Sequence, residues 1–236
     1  MGIAPEVNIV AIKVLNGEGQ GSSSAVLAGI QWVLDNKENY NIRIANLSVG
    51  TPDIGSRDPL IAAVEKAWDM GIVMNVAAGN NGPQKSSVTS PGVSKKIITV
   101  GASDDDISVN IWGNSLVNFS GRGPTSECII KPDILAPGTN IVSCLTKTPN
   151  LKRVNSEEFN KIGTHYLSLS GTSMATPIVS GAIALLLEKY SFLTPDDVKL
   201  MLIKSATGLN YPKNHQGFGL LNIEKLVNME VCYARK

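Results

Sequence analysis

The chain has 236 residues, 43% of them hydrophobic and 17% charged, and its 21 Lys and Arg against 20 Asp and Glu leave a net charge of +1. That length supports one sizeable buried core, and the charge balance excludes both the basic excess of a nucleic-acid binder and the bias of a disordered tail. No stretch approaches the roughly 18 apolar residues of a membrane-spanning helix, so neither nucleic acid nor membrane is expected as a partner.

Met1-Gly2-Ile3-Ala4-Pro5 has no cationic start and no apolar stretch of signal-peptide type. The expectation is a cytoplasmic chain or a truncated secreted one. "VNIVAIKVL" (7–15) is rich in β-branched residues and predicts a strand. A glycine loop follows, then a helix over 22–37 with an apolar stripe at Val26, Ile30, Val33 and Leu34 behind serine caps. Residues 42–50 and 71–79 predict two more strands, separated by a helix from about 59 to 70, and 96–103 predicts another. Their apolarity is continuous rather than alternating, as in parallel strands covered on both faces. The class is therefore α/β, a doubly wound parallel sheet with right-handed crossovers. Residues 104–166, rich in Gly, Pro, Ser and Asn, predict loops and short strands. Helices return near 172–190, 195–205 and 222–229, the second announced by Thr194-Pro195-Asp196-Asp197. Cys128, Cys144 and Cys232 are odd in number and free of CxxC spacing, which predicts reduced thiols rather than a zinc site or disulfide framework.

Ligands of open parallel sheets bind beyond the carboxyl ends of the strands. Of the loops there, "NGEGQGSSS" (16–24) misses the dinucleotide fingerprint, because the third glycine would have to stand at Ser22; it reads as a flexible turn. "NLSVGT" (46–51) and "AAGNNGP" (78–83) are the other two, and Asn80 taken alone reads as a turn residue. Ser173, in "SGTSMATP", opens an apolar helix. It reads either as a cap or as a nucleophile whose neighbouring helix N-terminus could stabilise an oxyanion. Pro177 is expected in the first turn, where a missing N–H costs little.

"GTSMATP" followed by a long apolar helix resembles the nucleophile segment of the subtilisin-like serine peptidases. "GIAPEVNIVAIKVL", "IANLSVGT", "VMNVAAGNNGP", "IITVGAS", "FSGRGPT", "KPDILAPGTNI" and "GFGLLN" are similar to further landmarks of that family, in family order. The resemblance implies one peptidase domain over 1–236 with a subtilisin-like fold and a peptide or protein substrate. It implies Ser173 as nucleophile, with the Asn80 amide and the Ser173 N–H forming the oxyanion hole. Ser48, Val49 and Gly50 would pair with the substrate as a strand, and Ala77, Ala78 and Gly79 would line one wall of the first specificity pocket.

The departures bear on the chemistry. A serine hydroxyl needs an adjacent base oriented by a carboxylate. The family draws these from a D-(T/S)-G strand end and an H-G-T-H helix start upstream of its G-(I/V)-A-P segment, which here is Gly2 to Pro5. His165, expected in a strand, and His215, expected in a polar loop, do not match the family's positions. The sequence thus predicts a domain N-terminally truncated relative to the family, lacking the catalytic Asp and His. It is then either an endopeptidase completed by a missing N-terminal segment or an inactive remnant that binds peptides by strand addition. The resemblance also implies calcium as a ligand, but Asp104-Asp105-Asp106 reads as a solvated turn and no metal-binding set is expected.

Overall fold

The computed structural model describes residues 2–53, 55, 58–104, 115–145 and 160–234. Each of its long helices but one starts on a side chain suited to the task. Ser22 caps α1 (Ser23–Asn36) by accepting from the Ala25 N–H at 3.2 Å. Asp58 caps α2 (Pro59–Asp69) through the Leu60 N–H at 2.9 Å, ahead of a first-turn proline. The exception, α3 (Thr172–Lys189), begins on Gly171 with no side-chain cap. Thr194 and Asp197 cap α4 (Pro195–Ser205) reciprocally, each side chain taking the other's backbone N–H. Two short helices, α5 (Lys213–Gln216) and α6 (Ile223–Asn228), complete the set.

Between them lies a parallel sheet. Strand β1 (Ile44–Leu47) pairs in parallel with β2 (Val73–Ala77), β2 with β3 (Ile98–Asp104), and β3 with β5 (Ile134–Pro137). The two-residue β4 (Ser115–Leu116) pairs antiparallel with the end of β3. Every residue of β2 is buried, as a strand covered on both faces must be. The core joins Val76, Val100 and Ile134 of the sheet to Val64 and Trp68 of α2 and to Val179, Ile183 and Leu186 of α3. A separate antiparallel sheet has β8 (Tyr166–Leu169) between β6 (Ile141–Cys144) and β7 (Asn160–Ile162).

The strand expected over 7–15 does not form. A strand exists only beside a hydrogen-bonded neighbour, and among the described residues none lies along this segment; its one backbone bond before the glycine loop runs from the Val7 N–H to the Ala4 carbonyl. Ile9 is consequently 84% exposed. The segment is held by its ends instead. A Cβ on Gly29 of α1 would come 2.6 Å from Val14, and one on Gly181 of α3 would come 2.7 Å from Ile3, so both helices are recessed to receive it. Among the described residues β1 likewise pairs only with β2 and leaves its other edge open. The strand expected over 42–50 narrows to β1, with residues 48–50 beyond its carboxyl end. His165 sits in the turn between β7 and β8 rather than in a strand, and His215 lies in α5 rather than in a loop. Asp105 and Asp106 fall outside the described residues.

Candidate active site

Ser173 is the second residue of α3, half-buried at the carboxyl end of the parallel sheet. The first turn of that helix has orphan N–H groups. Gly171 accepts from the Met174 N–H at 2.9 Å and the Ala175 N–H at 3.3 Å, while the Thr172 N–H donates to Asn80 Oδ1 at 2.9 Å. The Ser173 N–H has no acceptor among the described residues.

The orientation of Asn80 follows from the same contact. Its Oδ1 accepts twice from Thr172, from the backbone N–H and from the hydroxyl, both at 2.9 Å. With the oxygen thus committed, Nδ2 faces the other way and finds no acceptor among the described residues. A Cβ built on Gly171 would stand 3.2 Å from Asn80 Nδ2 and 3.7 Å from the Ser173 nitrogen. The missing side chain of Gly171 therefore leaves a space on which two free donors converge, and the N-terminal end of the helix dipole adds to the positive potential there. Such a space suits a developing negative oxygen.

Pro177 lies in the second turn of α3, not the first, so its missing N–H has a consequence. The carbonyl it would have satisfied is that of Ser173. That carbonyl instead accepts from the Ser48 hydroxyl at 3.2 Å, and the Ser173 hydroxyl donates in return to the Ser48 carbonyl at 3.2 Å. Ser48 Oγ also accepts from Asn46 Nδ2 at 3.0 Å, and Asn46 Oδ1 accepts from Ser180 Oγ at 3.0 Å. Buried Asn75 closes the chain by donating to Ser180 Oγ at 2.8 Å and to the Thr176 carbonyl at 2.7 Å.

A cleft of about 230 Å³ opens beside Ser173. It brings together Ser48, Val49, Gly50, Ala77, Gly79, Asn80 and Ser173, all singled out by sequence, with Asn81, Thr89 and Thr172, which were not. None of these lining residues is charged. Ala78 is fully buried behind them, its N–H donating to the Val100 carbonyl at 2.8 Å. Gly79 has φ +88°, a conformation that only glycine adopts readily, and this turns the chain toward Asn80. Thr89 stands in no motif, and Thr172, though inside GTSMATP, takes its role from Asn80, which the fold places beside it.

Neither histidine lines this cleft or bonds to Ser173. His165 is exposed and shares a 2.7 Å hydrogen bond with Thr164. Burial, then the nearby Arg122 and Lys85, holds His215 below the ordinary imidazole value. Among the described residues no three His, Cys, Asp or Glu side chains gather as a metal site requires, and no helix is long and apolar enough to cross a membrane.

A family model described as the subtilase family, peptidase S8, matches residues 1–219. Over 235 residues the chain is 43% identical to serine protease AprX of Bacillus subtilis (strain 168), covering 96% of this chain and 52% of that protein. Over 226 residues it is 36% identical to subtilisin DY of Bacillus licheniformis, covering 95% and 69% respectively. The solved structure of fervidolysin from Fervidobacterium pennivorans, a keratinolytic enzyme related to subtilisin, superposes with a TM-score of 0.76 at 26% identity, covering 98% of this chain and 34% of that one. The chain thus spans about half the length of AprX and a third of fervidolysin.

Proposed function

Because the chain belongs to the subtilase family of serine proteases, we propose that it carries the nucleophile, oxyanion hole and substrate edge of a serine endopeptidase. Its substrate is a peptide or protein strand laid against residues 48–50. Ser173 Oγ attacks the scissile carbonyl, and the carbonyl oxygen swings into the space between Asn80 Nδ2 and the Ser173 N–H. Collapse of the tetrahedral intermediate breaks the C–N bond, the amine leaving with the proton that the base took from Ser173 Oγ, and water then hydrolyses the acyl-enzyme at Ser173 through the same oxyanion geometry. The observation that carries this reading is the convergence of those two unpaired donors beside Gly171, within the turn that presents the hydroxyl.

The proton acceptor and its orienting carboxylate come, in this reading, from a polypeptide segment bearing the D-(T/S)-G and H-G-T-H elements. Two observations support it: neither histidine lies at the cleft, and among the described residues both β1, on one edge, and the segment over 7–15 lack a strand partner.

A second reading, peptide capture without cleavage, is favoured by one observation: the Ser173 hydroxyl donates to the Ser48 carbonyl, not to a base. Fluorophosphonate labelling separates the two. The endopeptidase reading expects slow labelling of the chain alone and rapid labelling, abolished in Ser173→Ala, once the segment with the two elements is supplied. Labelling that stays slow with the segment bound would leave capture as the function.

A further inference from the structure

The far end of the cleft beside Ser173 is closed by a side chain that no motif marks. Thr89 enters between the two walls of the cleft, residues 48–50 and 77–79. A Cβ placed on Gly50 would come 2.5 Å from Thr89 Oγ1, and one placed on Gly79 would come 2.6 Å from both Oγ1 and Cγ2. The Thr89 side chain thus fills the gap that the two glycines leave. Its own N–H donates to the Ala78 carbonyl at 3.0 Å, and its hydroxyl reaches the same oxygen at 3.4 Å.

This plug is held firmly. Next to it, Ser90 and Thr51 exchange backbone hydrogen bonds of 3.0 and 2.9 Å. The Ser90 hydroxyl donates to the buried Asp58 carboxylate, whose other oxygen caps α2. β-Branching restricts the χ1 of Thr89 and its hydroxyl is held to the Ala78 carbonyl, so the side chain does not swing aside at little cost. The cleft of about 230 Å³ is shared with the scissile carbonyl, because Asn80 and Ser173 line it. The Thr89 side chain occupies the space between Gly50 and Gly79 that a longer substrate side chain would have to enter. A charged one would moreover be desolvated against neutral walls with no partner.

We propose that Thr89 restricts this site to substrates with a small uncharged residue, Gly, Ala or Ser, on the acyl side of the bond, a specificity that rests on the peptide-binding reading above. Discrimination by pocket volume between side chains differing by a few carbons runs from about tenfold to a few hundredfold.

The test measures binding, which needs no base. Fluorescent tetrapeptides ending in a free carboxylate, identical except for a last residue of Ala, Leu, Phe or Lys, are titrated by anisotropy against the full chain and against Thr89→Gly and Thr89→Ser. The full chain should bind the Ala-ended peptide about tenfold or more tightly than the Phe-ended one. Thr89→Gly should bring the Phe-ended peptide up by a similar factor. Thr89→Ser, which keeps Oγ1, removes only the methyl group and preserves the local hydrogen bonds, should fall between and guards against a folding defect in the glycine variant. Equal binding of all four peptides by the full chain, or an unchanged ranking in both variants, overturns the specificity. Absence of binding by every peptide to all three proteins overturns the peptide site itself, a result distinct from binding without discrimination.

Discussion

Ser48 and Ser173, far apart in sequence, each donate a hydroxyl hydrogen bond to the other's backbone carbonyl at 3.2 Å. The Ser48 hydroxyl reaches the Ser173 carbonyl because Pro177 has no N–H to offer it, so a gap within the helix becomes a tie between β1's end and the turn that carries Ser173. Ser48→Ala should therefore cost about 0.5 to 1.5 kcal/mol of stability. In a Pro177→Ala background, where the helix satisfies that carbonyl itself, the cost should shrink. A double-mutant cycle by urea unfolding checks this, and additive losses would show that the proline is irrelevant to the tie.

Asn80 can donate to an oxyanion only because Thr172 occupies its oxygen. In the assembled enzyme, Asn80→Leu should lower kcat by roughly 10² to 10³ with KM little changed. Unchanged kcat in steady-state peptide hydrolysis would return Asn80 to the status of a turn residue.

Gly171→Ala places a methyl group in the space between the two donors, 3.2 Å from Asn80 Nδ2. Because the added atom competes with the developing oxyanion rather than with the substrate strand, the expected loss lies in kcat, by tenfold or more on the scale of losing one donor. Comparing kcat with KM checks it. A loss confined to KM would place the effect in ground-state binding.

Away from the site, Lys131 is fully buried with Nζ bonded to Asp133 at 2.6 Å, Thr99 Oγ1 at 2.9 Å and the Ile97 carbonyl at 3.1 Å. Burial lowers its pKa to about 8, against the attraction of Asp133 and with a smaller push from Lys199. Since the folded value lies below the ordinary lysine value, the unfolded chain binds more protons between about pH 8 and 10.5. This group then makes stability rise with pH across that window, by up to about 3 kcal/mol. Lys131→Met should remove that rise, with Lys199 still pairing Asp133 at 3.0 Å. Urea midpoints at pH 7.5, 9 and 10.5 for both proteins check the sign, and a parallel pH dependence would assign the titration elsewhere.

Local chemistry made most of the framework legible. Ser22, Asp58-Pro59 and Thr194-Pro195 mark helix starts through contacts within three residues, which sequence displays directly. Continuous apolar runs marked β1, β2 and β3 for the same reason. The identical signature misled at residues 7–15, because a strand is a property of a pair and the sequence shows one member. β5 was legible only as one of the short strands expected somewhere within 104–166, since it has four residues and ends on Pro137. At the site, Ser173 and Asn80 stand in motifs, whereas Thr89 is an ordinary loop threonine whose meaning comes from Gly50 and Gly79. Two glycines from separate strand ends cannot be seen converging on it in a string of letters.

The seating of Ile3 against Gly181 carries a consequence for how the chain comes together. That contact spans most of the polypeptide, whereas β1, β2 and β3 join through short crossovers, so its loop-closure entropy is among the largest in the fold. Ile3 has no seat until α3 has been made and packed, whereas Val14 finds its seat on Gly29 of α1 early. The docking of the Ile3 end should therefore be among the last events of folding.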